Sequence, residues 1–329
     1  MKELNRVYCD DWMNNDLPDK SVQLIIADPP YFEVKGEFDF VWDSFENYLQ
    51  DVSKWAKECK RVLAENGTLF WFGGSKKIAY SQVIFDKYFG LVNNLTWEKA
   101  EADGLFGSIG SDQLRSFPNS TERILMYSNE GIGDSLDENY DYYSFVQRVS
   151  VMKPIIRYMN NERIRSGLSI KDINDRTNTK MGCIWFTHPS QWQLATKEWY
   201  FRLREILGDG YLSRDYSELS LEYEKLKLKY EKLRRCFKNF YKSTEILKVR
   251  FKPSEYDHDT VKPEKLARLL ILTSSRPNDL VLIPFSGSGT ECAMAIKEGR
   301  SFLGFDITQK YVDMSNKRCA IIKANPELF

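Results

Sequence analysis

Asp279-Leu280-Val281-Leu282-Ile283-Pro284-Phe285-Ser286-Gly287-Ser288-Gly289-Thr290 reads as a buried strand running into a glycine turn that opens a helix. The helix extends to Lys297, Gly299 follows it, and a second strand from Ser301 to Phe305 ends at Asp306. A tight turn with close backbone approach, followed by an acid at the end of the next strand, suits a nucleoside ligand. The acid can accept hydrogen bonds from ribose hydroxyls. The glycines alone fit a plain strand-to-helix turn equally well; the placement of Asp306 favours the ligand. No Gly-Lys-Ser/Thr occurs in the loop, which disfavours a P-loop phosphate cradle, and the third glycine of dinucleotide spacing is missing. A ligand without a pyrophosphate fits better, and S-adenosylmethionine is the expected one.

The alternation of strand and helix signals recurs at the other end of the chain. Gln23-Leu24-Ile25-Ile26-Ala27 is a short apolar run of the kind found in buried parallel strands. Tyr48, Val52, Trp55, Cys59 and Val62, three or four apart, predict a helix from about Phe45 to Ala64. Asn66-Gly67 ends it, Thr68 to Phe72 forms the next strand, and residues 91–98 and 122–128 offer two more. Asp28-Pro29-Pro30-Tyr31 follows directly on the first strand. Two prolines fix the backbone and remove two donors, which leaves the carbonyls of Asp28 and Pro29 free to accept. An acid, rigid carbonyls and an aromatic face suit the exocyclic amine of a flipped-out base. The Asp28 carboxylate and Pro29 carbonyl would take its two N–H bonds while Tyr31 stacks on the ring. Such bonding draws the nitrogen lone pair out of conjugation, ready to attack a sulfonium methyl in line. Positioning and electrostatics then supply the rate, without a covalent intermediate.

The middle of the chain differs. Residues 130–141 form a polar link with five acids, and residues 151–205 carry ten Lys/Arg against five Asp/Glu. Ser169-Ile170-Lys171-Asp172 looks like a capped helix start. A short helix to Arg176, a break at Thr177-Asn178 and a second helix into Phe186 would make a helix-turn-helix, although its turn lacks the frequent glycine. Leu212, Tyr216, Leu219, Tyr223, Leu226, Tyr230, Leu233 and Phe237 alternate four and three apart, an apolar seam on a helix. That seam could pair with another protomer, pack within its own domain or carry a basic face along DNA; packing within the domain or as a helical hairpin is expected. One sheet split by an insertion explains this order better than three separate domains.

Lys+Arg and Asp+Glu are 47 each among 329 residues, which excludes a uniformly basic nucleic-acid coat but not a local basic patch. No apolar run is long enough to span a bilayer, and the first residues hold no apolar signal segment, so a cytoplasmic protein without membrane contact is expected. Six cysteines form no C-x-x-C pair, and no metal is expected. With only His188 and His258 present, a histidine base has few candidates. His188, before Pro189, reads as a loop residue. Trp185, Phe186, Trp192, Trp199 and Tyr200 read as core rather than as base-stacking platforms.

These segments together resemble the DNA amino-methyltransferases of beta class. In that arrangement the Asp-Pro-Pro-Tyr motif comes first, the recognition region second and the cofactor loop last. The resemblance implies a Rossmann-like, doubly wound, mostly parallel α/β sheet of about seven strands with one antiparallel edge, and a helical target-recognition insertion. The expected division is residues 1–129 and 251–329 for the two halves of the methyltransferase domain and 130–250 for the insertion. Leu17 to Val22 is similar to the family's lead-in. Arg61-Val62-Leu63 through Asn66-Gly67-Thr68 is similar to its helix-to-strand step. Trp97, Lys99 and Glu122 look like the strand pair flanking the target base. Ser190-Gln191-Trp192 and Tyr230 to Arg235 resemble phage and restriction-type adenine enzymes.

By that resemblance Asp28, Pro29, Pro30 and Tyr31 are catalytic. Asp10, with Asp11 the neighbouring option, would contact the cofactor adenosine. His258, Lys262 and Pro263 would lie beside its methionine end. Phe285, Ser286, Gly287, Ser288, Gly289, Thr290 and Asp306 would complete the cofactor site. Asp as first residue of the catalytic motif points to adenine N6, with cytosine N4 as the alternative; a cytosine-C5 enzyme needs a Pro-Cys dipeptide, which is absent. Ile283 departs from the usual Asp before Pro-Phe, and a catalytically silent DNA-binding partner is the rival that this departure motivates. Double-stranded DNA is the expected substrate, with a homodimer and a cognate restriction endonuclease as further expected partners. Lys171, Arg176, Lys180, Lys225, Lys229, Arg234 and Arg235 are the candidate DNA contacts, and the helix-turn-helix would place Lys180 or its neighbours in a major groove.

Overall fold

The computed structural model describes residues 2–33, 41–99, 115, 117, 119–129, 142–188, 191–250 and 261–324, with the backbone alone for 142–147. His258, Ser190 and the acidic link 130–141 lie outside the described residues. The chain divides into two compact units, residues 1–132 with 235–329, and residues 133–234.

The first unit is built on one eight-stranded sheet. Its strands are β1 (Arg6–Cys9), β2 (Val22–Ala27), β3 (Leu63–Gly74), β4 (Gly90–Glu98), β5 (Thr121–Ser128), β6 (Ile246–Lys248), β7 (Leu280–Ile283) and β8 (Ser301–Asp306). They lie in the order β1-β8-β7-β2-β3-β5-β4-β6. The pairs β1/β8, β7/β8, β2/β7, β2/β3 and β4/β6 are parallel. β5 runs antiparallel to both of its neighbours, so the antiparallel strand is internal rather than at the edge expected for it. The eighth strand, β6, comes from residues assigned to the insertion: residues 235–250 belong to the sheet unit, and the insertion ends at Arg234 rather than 250.

β2 reads as an unbroken apolar run because both of its faces are covered. Leu24 and Ile26 pack with Phe70 and Phe72 on one side, in the core completed by α8 (Glu264–Ser274), α9 (Thr290–Lys297) and α10 (Gln309–Ala324). Ile25 and Ala27 pack with Leu69 and Trp71 on the other, against α1 (Phe45–Val62) and α2 (Ile78–Phe85). Ser44 caps α1 by accepting from the Asn47 N–H. This helix stops at Val62, two residues before the expected Ala64, and the chain passes straight into β3. Gly67 therefore lies inside a strand, where a Cβ would stand 2.6 Å from Leu63 Cδ1.

The second unit is helical: α3 (Tyr142–Arg165), α4 (Ile170–Thr177), α5 (Gly182–Phe186), α6 (Lys197–Leu207) and α7 (Tyr216–Leu233). Trp185, Phe186, Trp192 and Tyr200 are buried in its core as expected, with Trp199 packed at the edge. Along the heptad seam Leu212 and Leu219 are buried, Tyr216, Tyr223 and Leu226 pack against the same core, and α7 lies on α3. From Leu212 to Leu226 the seam is used within the unit, whereas Leu233 and Phe237 are exposed and α7 ends at Leu233. No helix among the described residues is long and apolar enough to cross a membrane.

Candidate active site

Most of the site leaves the carboxyl ends of parallel strands. Asp28 follows β2, the glycine loop follows the neighbouring β7, Asp306 ends β8 and Asp10 follows β1. Because β5 is antiparallel, its amino-terminal end reaches the same edge of the sheet and brings Glu122 opposite Trp97 of β4. In an open α/β sheet this edge is where ligands bind.

At the Asp28 corner, Tyr31 Oη donates to Asp28 Oδ1 at 2.8 Å, and Lys262 Nζ stands 2.8 Å from Asp28 Oδ2. Lys262 also lies 3.2 Å from Glu122 Oε2, and Lys99 Nζ donates to Glu122 Oε1 at 2.7 Å. Both carboxylates are thus held by cations, and each oxygen keeps lone-pair capacity for a further donor. Burial raises the Asp28 carboxyl above the usual aspartate range, Lys262 opposes that shift, and Glu122 adds to it. Burial also raises Glu122, but Lys262 and Lys99 outweigh it and hold this carboxyl below its ordinary value. For Lys262 burial works against the charge, and the two carboxylates more than compensate. Burial, with the charges of Asp28 and Glu122, keeps the Tyr31 phenol protonated far above its normal range. Lys262, only 7% exposed, is enclosed by the rings of Tyr31, Phe72 and Trp97 at 5.2–5.8 Å. Lys262 was expected beside the cofactor; its ammonium binds Asp28 and Glu122 at the strand end next to the glycine loop. Pro263 caps α8 directly after it.

The glycine loop is fixed from behind. Gly287 and Gly289 adopt φ of 48° and 74°, the left-handed region. A Cβ on Gly289 would meet Ser315 at 2.7 Å, so only glycine fits there. Ser315 Oγ donates to the Gly287 carbonyl at 2.8 Å, and the buried Arg318 donates to Thr290 Oγ1 at 2.8 Å. Arg318 and Ser315, both on α10, gave no sequence signal, since nothing in a helix marks which residue reaches back to a distant loop. The ring of Phe285 packs edge-on against Trp12, Trp55 and Trp71, which makes it an anchor of the loop. Ser286 Oγ and Ser288 are buried, and Ser286 Oγ has no hydrogen-bond partner among the described residues. Asp306 Oδ2 accepts from Gly287 N and Oδ1 from Thr308 N, both at 2.9 Å, and burial raises its carboxyl despite these bonds.

Asp10 and Asp306 are joined through the backbone, Asp10 N donating to the Asp306 carbonyl at 3.1 Å. The Asp10 carboxylate binds Asn14 and Lys2, and these bonds lower its pKa. Asp11 caps the turn Trp12–Asn14 by accepting from Met13 N. Arg61 binds the Leu17 carbonyl, Asp19, Asn15 and Glu58, which ties the lead-in of β2 to the end of α1. Ile283 is buried at 1% in the sheet core.

In the second unit the expected capping box is present: Ser169 Oγ accepts from Asp172 N, and Asp172 accepts from Ser169 N. Asn178, at φ 53°, makes the left-handed turn expected of a glycine. The second helix differs from the expectation: it begins only at Gly182, spans five residues, and buries Trp185 and Phe186. It is too short and too enclosed to lie in a groove as a recognition helix. Lys171 and Lys180 instead line one surface cleft with Asn174, Asn178 and Thr179. Arg176 donates to the Ile206 carbonyl and Arg234 pairs with Glu231, so both have structural uses. Lys225 and Lys229 are exposed on α7. Arg235 falls in the sheet unit, its guanidinium 5.7 Å from the Phe237 ring. The loop residue His188 accepts from Gln191 N through Nδ1.

Among known proteins, the type II methyltransferase M1.MboII of Moraxella bovis is 28% identical over 320 residues, covering 96% of each chain. The DNA adenine methyltransferase YhdJ of Escherichia coli is 24% identical, over 92% of this chain and 77% of that one. A Thermus thermophilus chain described as a DNA modification methylase, solved with S-adenosyl-L-methionine, superposes with a TM-score of 0.50 at 18% identity, over 98% of this chain and 97% of that one, and shares the fold. The family of DNA methylases N6_N4_Mtase matches residues 22–317. That span takes in both halves of the split sheet, with the Asp28 corner and the glycine loop inside it, and the chain belongs to this DNA methylase family.

Proposed function

We propose that the protein methylates the N6 amine of a flipped-out adenine at a specific site in double-stranded DNA, with S-adenosylmethionine as donor. The observation that carries this reading is the Asp28 carboxylate, held on one oxygen by Tyr31 and on the other by Lys262, at the strand end next to the glycine loop. The cofactor fits the residues present. The left-handed glycines allow close approach, Ser286 Oγ is a buried polar atom without a partner among the described residues, and Asp306 keeps acceptor capacity for ribose. When bound, S-adenosylmethionine supplies an electrophilic methyl on a sulfonium centre. Asp28 accepts one hydrogen of the target amine and the Pro29 carbonyl accepts the other, which localises the nitrogen lone pair. Tyr31 presents its ring to the base. Lys262 keeps Asp28 ionised against its burial, and Glu122, bridged by Lys99, fixes Lys262 in place. These groups are positioned before substrate arrives, so little reorganisation is needed during the reaction.

The exposed Lys171, Lys180, Lys225 and Lys229 are the proposed phosphate contacts of the helical unit. The similarity to a type II methyltransferase supports an endonuclease of the same site as partner. The test is long-read sequencing of DNA from a methylation-free host expressing the protein, beside an Asp28→Ala control. Modified adenines at one recurring motif, absent in the control, are expected. Modified cytosines would keep the mechanism and overturn the base; no modification from folded, DNA-binding protein would favour the silent partner.

A further inference from the structure

Glu291 lies on the first turn of α9, directly after the glycine loop, with 6% of its surface exposed. Among the described residues no other side chain forms an ion pair or hydrogen bond with its carboxylate. The cations near it are already engaged. Lys262 holds Asp28 and Glu122, and Arg318 from α10 holds Glu264 of α8 together with Thr290 Oγ1. Asp28 at the end of β2 faces it with the same charge, and Asp306 at the end of β8 is occupied by the N–H groups of Gly287 and Thr308. A buried carboxylate without a cation is costly. A fold that keeps one beside a ligand cradle leaves it for a cation that the ligand brings.

We propose that Glu291 is the counter-ion of the α-ammonium group at the methionine end of the cofactor, a role that rests on reading the glycine loop as the cofactor cradle. An ammonium donates N–H bonds to carboxylate oxygens, which a sulfonium cannot do. The sulfonium, moreover, must stand where the amine held by Asp28 can attack its methyl. In the ligand-free protein burial, with Asp28 adding its charge, raises the Glu291 carboxyl to about 7. Pairing with the ammonium, which is mostly protonated at pH 7 and below, therefore drives its proton off. Binding should release roughly half a proton near pH 7 and close to one at pH 6, and affinity should fall about fivefold from pH 7 to pH 6 and nearly tenfold per unit below that.

The test is calorimetry of cofactor binding in two buffers of different ionisation enthalpy, with S-adenosylmethionine, S-adenosylhomocysteine and 5′-methylthioadenosine. Proton release is expected with the first two, which carry the ammonium, and should vanish with the third. That comparison needs no substitution. In Glu291→Gln, shown folded by its melting curve, release should vanish for all three, with affinity for the first two reduced about 10- to 100-fold. Undiminished release in Glu291→Gln, or a loss confined to S-adenosylmethionine, overturns the assignment. Failure of the parent protein to bind either ammonium-bearing ligand would instead overturn the cradle reading, and the assignment with it.

Discussion

At the scale of single residues, the site is governed by which buried charges have partners. In the proposed reaction Asp28 must be ionised to accept the amine hydrogen, while its burial favours the neutral acid. Lys262 is the cation opposing that burial, so Lys262→Met should raise the Asp28 pKa further. The acidic limb of the kcat/KM profile for DNA methylation should then move toward neutral pH by a unit or more; an unmoved limb would show that Lys262 does not set this charge. Glu291 presents the opposite case, an acid that no cation among the described residues pairs with. Its folded pKa of about 7 lies above the ordinary 4.5, so the folded state holds this proton more tightly than the unfolded chain. The stability it contributes is present at low pH and lost as pH rises from about 4.5 through 7, a change on the order of 3 kcal/mol. Glu291→Gln should therefore melt higher than the parent without ligand, with a gap that widens between pH 5 and pH 8 in paired melting curves.

At the scale of elements, short-range rules and tertiary packing divide the helical unit between them. The Ser169–Asp172 capping box is visible as a four-residue pattern because all its bonds are local. The end of the same helix depends on Asn178 turning left-handed and on Asn174 Oδ1 accepting from Gly182 N at 2.9 Å. At Gly182 a Cβ would stand 2.8 Å from Asn174 Oδ1 and 3.3 Å from the Ile170 carbonyl, so the glycine allows α4 and α5 to close on each other. Gly182→Ala should destabilise this unit by about 1–3 kcal/mol, read as a loss in denaturant midpoint with an unchanged slope. A fully stable Gly182→Ala would mean that Asn174 gives way without cost. Arginine is used here as backbone glue. Arg148, Arg163 and Arg204 each donate to main-chain carbonyls, and Arg165 and Arg214 pair with acids. Composition alone makes these residues look like a nucleic-acid footprint.

At the scale of the whole molecule, a neutral chain can still carry local positive charge, and the lysines left exposed decide its effect. Lys171→Ala and Lys180→Ala together should weaken DNA binding similarly on all sequences. They should also reduce the salt dependence of log Kd by about 1–2 in slope; an unchanged slope would remove these lysines from the interface. Much of this organisation was legible in the chain. The alternation of short apolar runs with helices, Asp28 to Tyr31, and the loop from Phe285 to Asp306 are contiguous patterns, and contiguous patterns encode strand ends and turns directly. Their order determined that a single sheet is split by an inserted segment. Tertiary structure alone decided that residues 235–250 return to the sheet as β6, since a three-residue strand acquires its identity from β4 beside it. It also decided that Lys262 pairs with Asp28 and Glu122, that Arg318 and Ser315 hold the glycine loop, and that Glu291 is buried with no ion-pair partner among the described residues. Each of these joins residues far apart in sequence, and the free energy of a buried charge depends on neighbours that only the folded sheet assembles.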